Sequence, residues 1–580
     1  MIRGLFPRRG RAADGGAAEP PSATPEWKRD LERRSHLETS RNRLLLAGAL
    51  FTAAFVAVGV RMVDLSGPQP VEERTLAAVD AGRVYTGRAE IVDRTGTVLA
   101  TTLKTASLYA DARRVRNPDE VARKLVAVLP ELDYDTARKR LASGRSFVWL
   151  HRNLTPREQY EVNALGEPGL DFQQEEQRVY PQGPLAAHVL GFVDIDGRGI
   201  AGIERTFDGR LRGEHEQLQL SLDLRVQNIL REELARAMTT YSAIGATGIV
   251  LDANTGEVVA LASLPDFDPN HPAEAPSETR FNRATMGVYE LGSTFKLLTA
   301  AAALDAGTVN ITGGYDASNP IHVARFTIND FHAKKRWLSV PEILIYSSNI
   351  GAAKMALDLG VERHKAFIER IGMTRPANLE LPETADPLVP SGKWRELTSM
   401  TIAYGHGIAV TPLHLANAVA AIANGGFLRQ ATLVRRAEDG PMPAHQVISL
   451  STSEQMRKLM RLVVTHGSGR NANVPGYQVG GKTGTAEKLS PTGGYAKHKL
   501  FSSFIAAFPM DKPRYVVFAA LDEPKGTEET HGYATAGWVT APAVGTVISR
   551  IAPILGVAPD PVELRQAKEA ANGGRTLASF

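Results

Sequence analysis

Strand-like stretches in this chain of 580 residues fall into two groups that lie far apart in sequence. The first is ATGIVLDANTGEVVALASLP, two β-branched runs around Asn254, Thr255 and Gly256, which is a hairpin signal. The second is YQVGGKTGTAEK, FSSFIAAF and RYVVFAALDE, three runs in succession over residues 477–523. Between the groups, from about residue 293 to 425, the pattern is helical, and LSLDLRVQNILREELARAM just before the hairpin is an amphipathic helix. One helical block between two groups of strands that share a sheet predicts an α+β sandwich.

A chain of this length exceeds what one core usually holds, so two or more folded units with appendages are expected. The sandwich occupies 216–558. A second α+β unit, 66–215, mixes alternating runs such as RAEIVDRTGTVLATT with the helical PDEVARKLVAVL, and shows no chemistry of its own. Residues 1–43, rich in Gly, Ala, Pro and Arg without periodicity, read as a disordered basic tail, and Pro559–Phe580 as a loose C-terminal tail.

The net charge of +4 invites a nucleic-acid reading, but its location argues against one. Residues 1–43 carry ten basic side chains against six acidic ones, which is the whole excess. No broad basic surface is left for a phosphate backbone, and no nucleic-acid partner is expected. Directly after that segment comes LLLAGALFTAAFVAVGV, Leu44–Val60, 17 uncharged residues followed by Arg61. About 17 to 25 such residues span a bilayer as a helix. A signal peptide has a shorter apolar region, roughly 7 to 15 residues, and a shorter basic leader. An uncleaved single-pass anchor over 44–65 is therefore expected, with the basic N-terminus in the cytoplasm and the remainder outside the inner membrane. The absence of cysteine suits an oxidising compartment.

Three short patterns carry chemistry. In ELGSTFKLLTAAAALDAG, Ser293 stands one turn ahead of Lys296 at the mouth of an apolar helix. Cβ atoms at i and i+3 lie about 5–6 Å apart on one helix face, so a neutral Lys296 can take the Ser293 proton. Ser347 and Asn349, in IYSSNIGAAKMA, are placed in a turn where both can converge on the same cleft. Lys482-Thr483-Gly484-Thr485 lies on a strand, whose alternation sets the hydroxyls of Thr483 and Thr485 on one face as a carboxylate clamp. Gly484 is read as room for a substrate to approach the backbone. Singly, these patterns are a helix cap, an Asx-type turn and a solvated edge lysine. Their order and separation, downstream of an anchor, favour one joint site.

Together with GRAEIVDRTGTVLA, GIAGIERTFDGRLRG, RATMGVYELGSTFK, AYGHGIAVTPLHLANA and VGGKTGTAEK, these motifs resemble the class B penicillin-binding proteins over residues 44–550. Those are membrane-anchored D,D-transpeptidases that cross-link peptidoglycan. Within the class the chain is most similar to the cell-division (septal) branch, the penicillin-binding protein 3 type, and the elongation branch, with the same chemistry, stays open. The resemblance implies a pedestal (dimerisation) domain over 66–215 and a serine β-lactamase-like transpeptidase domain, an antiparallel sheet packed against helices. It implies Ser293 as nucleophile and Lys296 as general base, a role disputed across the family. Ser347, Asn349 and Lys482 would move the proton and position the substrate. The N–H groups of Ser293 and Thr485 would form the oxyanion hole, and Thr483 and Thr485 would hold the substrate carboxylate. Implied partners are peptidoglycan stem peptides, β-lactams as inhibitors, a lipid-linked-glycan polymerase and other division proteins. No metal and no cofactor is called for. One departure is Leu291, where many relatives carry proline before Gly-Ser.

Rival readings are weaker. GYQVGGKT, Gly476–Thr483, matches a phosphate-binding loop, but such a loop follows a buried strand and opens a helix, and Gly484 follows at once. A penicillin sensor or inactive scaffold has no support while all three motifs are intact. A β-lactamase needs a deacylating carboxylate and is usually a small secreted domain. His332, His406 and His466 are scattered without metal-ligand spacing and read as ordinary histidines, and Asp522 and Glu523 read as a strand end.

Overall fold

A computed structural model describes residues 87–565 apart from 214–215, 324–325, 438–439, 441 and 490–493, together with Thr52 and Val56. The chain divides into two compact units, Met1–Val84 and Tyr85–Phe580, and every strand and helix numbered below belongs to the second. Among the described residues no helix is long and apolar enough to cross a membrane. The expected tail 1–43 and nearly all of the expected anchor 44–65 lie outside the described residues.

The N-terminal part is a five-stranded sheet with three helices ahead of its fourth strand and three short ones, Ala187–Leu190, Gly202–Thr206 and Asp208–Gly213, after it. Its elements are β1 (Ile91–Val92), β2 (Val98–Ala110), α1 (Pro118–Val128), α2 (Tyr134–Leu141), β3 (Val148–Leu154), α3 (Pro156–Ala164), β4 (Leu170–Val179) and β5 (Leu218–Gln219). Strand order is β3-β2-β1-β5, with β4 also on β2, and only the β1–β5 pairing is parallel. Local chemistry fixes the helix starts. Asn117 caps α1 ahead of Pro118, Asp133 caps α2, and Thr155 with Glu158 closes a capping box on α3. Leu125, Leu141, Leu150 and Val162 fill the core beneath them.

Arg88, Arg178 and Glu204 form a buried ionic knot in this part. Glu204, fully buried, takes Arg178 Nε at 2.7 Å on one oxygen and Arg88 on the other, and Arg88 also reaches Asp208 at 2.6 Å. Each buried guanidinium thus faces a carboxylate.

The second part is the predicted sandwich. After α4 (Leu224–Thr240), capped by Asp223, come β6 (Gly245–Asp252), β7 (Val258–Leu264), α5 (Phe295–Asp305), α6 (Asn349–Leu359), α7 (Pro412–Ala423) and α8 (Leu450–His466). They are followed by β8 (Gly480–Leu489), β9 (Tyr495–Phe508), β10 (Tyr515–Asp522) and α9 (Ala541–Ile554). The sheet is antiparallel throughout, order β8-β9-β10-β6-β7, so strands from the two ends of the sequence do meet in one sheet. Alternation along β10 sends Val516, Phe518 and Ala520 toward α5, α7 and α8, and Val517, Ala519 and Leu521 toward α4 and α9.

Two expectations change. The helical block is broken by short strands between 314 and 339, where Gly313-Gly314 and Pro320 cannot continue a helix, and by an irregular proline-bearing stretch over 374–395. The start of the tail expected to be loose is docked: Asp560 N–H donates to Gly476 O at 2.7 Å, and Glu563 pairs with Arg461 at 2.9 Å. Gly476–Thr483 runs into β8, which stays extended to Leu489, so no helix follows to bind a phosphate.

Candidate active site

Ser293 lies in a 3₁₀ turn, Gly292–Thr294, that leads straight into α5, and its side chain makes no cap bond. It is held from two sides by backbone. Gly292 has φ of 55°, and a Cβ there would stand 2.9 Å from Thr485 O. A Cβ on Gly484 would stand 2.4 Å from Leu291 O. Gly484 therefore makes room for the nucleophile turn itself, which corrects its reading as space for a substrate. The two glycines lock edge strand β8 against the serine.

Lys296 is 1 % exposed and Lys482 fully buried. Lys296 Nζ lies 2.9 Å from Ser293 Oγ, 2.6 Å from Ser347 O, 2.7 Å from Asn349 Oδ1 and 3.1 Å from Ser347 Oγ. Lys482 Nζ lies 2.9 Å from Ser347 Oγ, 3.1 Å from Thr483 O and 3.3 Å from Thr483 Oγ1. Ser347 Oγ thus bridges the two amines. Every one of these partners is a neutral oxygen.

Burial, and then the neighbouring Lys482 charge, hold Lys296 well below the usual lysine range, with Asp330 opposing. Burial brings Lys482 down to about 7. A neutral Lys296 has two N–H groups, which suit the two closest acceptors, Ser347 O and Asn349 Oδ1, and a lone pair left for the Ser293 hydroxyl.

Ser347 adopts φ of 56°, a left-handed conformation uncommon outside glycine. The turn is held by Asp330, which accepts from Ser348 Oγ at 2.7 Å and Ile350 N at 3.0 Å, while Ser348 caps α6 on Gly351 N. Thr483 Oγ1 lies 2.7 Å from Ser468 Oγ, and Thr485 Oγ1 accepts from Ala536 N at 3.1 Å. All eight residues singled out from sequence, Ser293, Lys296, Ser347, Asn349, Lys482, Thr483, Gly484 and Thr485, fall in this one region.

Sequence reasoning missed Asp330 and Ser468, which lack any periodic or spacing signal, and gave no hint of where His406 lies. That residue stands beside the nucleophile turn: a Cβ on Gly405 would be 2.1 Å from Gly292 O. Glu290 accepts from Gly407 N at 2.8 Å and from Tyr495 OH at 3.0 Å, and the His406 ring lies 5.2 Å from that of Tyr404 and 5.7 Å from that of Tyr495. The Gly405-His406-Gly407 triplet, far from Gly292-Ser293-Thr294 in sequence, was the signal available. Asp522 and Glu523 do close a strand end, both paired with Lys488.

A sheet between two helical layers, with a serine, two buried lysines and a bridging serine at its edge strand, defines a serine acyltransferase of the penicillin-recognising kind. The chain matches the Penicillin binding protein transpeptidase domain over residues 246–545 and the Penicillin-binding Protein dimerisation domain over 83–240. It is 43% identical to the probable peptidoglycan D,D-transpeptidase FtsI of Caulobacter vibrioides, over 81% of this chain and 82% of that one. It is 32% identical to the probable peptidoglycan D,D-transpeptidase PenA of Neisseria meningitidis, over 90% and 94%, and 28% identical to the peptidoglycan D,D-transpeptidase FtsI of Escherichia coli, over 91% and 94%. A crystal structure of a peptidoglycan synthetase from Bifidobacterium adolescentis shares the fold, with a TM-score of 0.64 at 22% identity, covering 82% of this chain and 96% of that one. The chain belongs to the class B penicillin-binding proteins.

Proposed function

We propose that this chain cross-links peptidoglycan stem peptides through an acyl-enzyme at Ser293, during septal wall synthesis, and that β-lactams inhibit it by acylating the same serine. The observation that carries this reading is the 2.9 Å approach of Ser293 Oγ to a buried Lys296 amine that has no carboxylate partner. Lys296 takes the hydroxyl proton, and Ser293 Oγ attacks the carbonyl of the penultimate D-alanine. The N–H groups of Ser293 and Thr485 receive the oxyanion. Lys296 passes the proton through Ser347 Oγ, with Lys482 behind it, to the departing amine of the terminal D-alanine. Thr483 and Thr485, held by Ser468 and Ala536, take the carboxylate of that residue. An amine from a second stem peptide then resolves the ester. Names carried by relatives, peptidoglycan D,D-transpeptidase in each case above, support the substrate.

The same proposal includes the single-pass inner-membrane anchor over 44–65, a cytoplasmic tail over 1–43, a periplasmic pedestal over 66–215 and a transpeptidase segment from 216 that takes in the docked turn 559–565. It includes docking of a lipid-linked-glycan polymerase and other division proteins. The septal branch is preferred over elongation on the AYGHGIAVTP stretch and on Asn349 in SSN, and mid-cell placement of a fluorescent fusion tests it.

Intact mass after exposure of the detergent-solubilised full chain to benzylpenicillin tests the chemistry. A stable adduct on the wild type and none on Ser293→Ala is expected. No adduct on folded wild type overturns the assignment.

A further inference from the structure

The transpeptidation proposed above has two substrates, and the residues described so far serve only the acyl donor. The acceptor arrives as a protonated amine and must lose that proton before it can attack. Ser293, Lys296, Ser347 and Lys482 form one closed hydrogen-bonded group around the ester position, and in deacylation that group has its own task, the return of a proton to Ser293 Oγ.

On the other side of the nucleophile turn lies a group that this chemistry does not use. Glu290, three residues before Ser293, ties together the nucleophile turn, the loop at Gly407 and the start of β9 at Tyr495. His406 sits within that frame between the rings of Tyr404 and Tyr495, and its Nδ1 is buried with no hydrogen-bond partner among the described residues. The charges that reach His406 act in opposite directions, Glu290 and Glu487 favouring its protonated form and Lys296 opposing it. Glu487 is exposed on β8, two residues past Thr485, and Tyr495 is 43% exposed, so the group opens to solvent.

We propose that His406, flanked by Glu290 and Glu487, is the acceptor-side catalytic residue: the carboxylates receive the ammonium group of the incoming peptide, and the imidazole takes its proton. The proton balance closes. The ammonium gives one proton to His406, and the free amine adds to the acyl carbon of the Ser293 ester. A second proton leaves the nitrogen as the carbon–Oγ bond breaks, and reaches Ser293 Oγ through Lys296 and Ser347. His406 then releases its proton to solvent, the one proton this half of the reaction liberates, matching the proton that the departed D-alanine amine takes up from solvent, so that the overall exchange is proton-neutral. Burial keeps His406 below the ordinary histidine range against the pull of the two carboxylates, so it is neutral and able to accept at neutral pH.

This inference rests on the acyl-enzyme reading, and one experiment separates the two. The full chain in detergent, as wild type, His406→Ala and His406→Gln, is given benzylpenicillin to measure acylation. In parallel it is given a thioester donor peptide with D-alanine as added amine, and aminolysis is measured against hydrolysis. Both variants are expected to acylate within about threefold of wild type while the ratio of aminolysis to hydrolysis falls about tenfold or more. The rise of that ratio with pH across the histidine range is expected in wild type and absent in both variants. Glu487→Gln is expected to raise the D-alanine concentration needed for half-maximal aminolysis, leaving its maximal rate nearly unchanged. An unchanged ratio in a variant that still acylates overturns the proposal. Parallel loss of acylation and aminolysis in both variants also overturns it, assigning His406 to holding the nucleophile turn. Absence of a penicillin adduct on wild type fails the acyl-enzyme reading instead.

Discussion

The ionic knot of the N-terminal part and the lysine pair of the cleft are both buried clusters with two cations, and they solve the problem of buried charge in opposite ways. Arg88 and Arg178 meet Glu204 and Asp208, so charge is retained and compensated at the junction of Ala89, β4 and residues 204–208. Lys296 and Lys482 meet only neutral oxygens and each other. Removing water without supplying a counter-charge disfavours the ammonium form, and a lysine so treated gives up its proton. Compensation yields a structural joint, and its absence yields a base. Arginine suits the first role and lysine the second, because a guanidinium cannot deprotonate in a protein.

This contrast breaks most sharply at Lys296. Lys296→Arg keeps a cation of similar reach but removes the base, and acylation by benzylpenicillin is expected to fall by roughly 10²–10⁴-fold, measured by stopped intact mass. An arginine variant that acylates at the wild-type rate returns the lysine to a merely electrostatic part. In the knot the expected loss is one of stability. Glu204→Gln leaves two buried guanidinium groups facing one formal counter-charge, and about 3–5 kcal/mol of unfolding free energy is expected to go, read from the melting of the N-terminal part, with acylation unaffected below that transition. A smaller loss is expected from Gly484→Ala. Its methyl group must displace Leu291 O from 2.4 Å, costing roughly 1–3 kcal/mol and shifting Ser293 relative to Lys296, so Tm and acylation rate fall together.

What the sequence made legible was local or periodic. Ser293 and Lys296 are one helical turn apart, Thr483 and Thr485 are related by strand alternation, and the two strand groups show their period directly. The fold class and the eight singled-out residues follow from such signals joined to motif order. What stayed hidden depends on contacts across long separations. Asp330 supports the Ser347 turn from 18 to 20 positions away, and Glu290 reaches Gly407 and Tyr495 across 117 and 205 positions. A glutamate or histidine in a loop carries no period, so His406 read as one of several scattered imidazoles. The phosphate-loop match of Gly476–Thr483, set aside from sequence, fails in the fold as well. Its glycines obey a short pattern, but in the fold Gly480 and Gly481 pack against Met510 and Phe504 within a strand.

The most direct test of the contrast is the pH dependence of acylation of the full chain by benzylpenicillin, followed from about pH 5 to 10. If Lys296 is a base made neutral by burial and by the Lys482 charge, the rate rises along an acid limb that lies well below the usual lysine range and is level above it. A rate that is still climbing toward the ordinary lysine value of about 10.4, with no limb below that range, contradicts it.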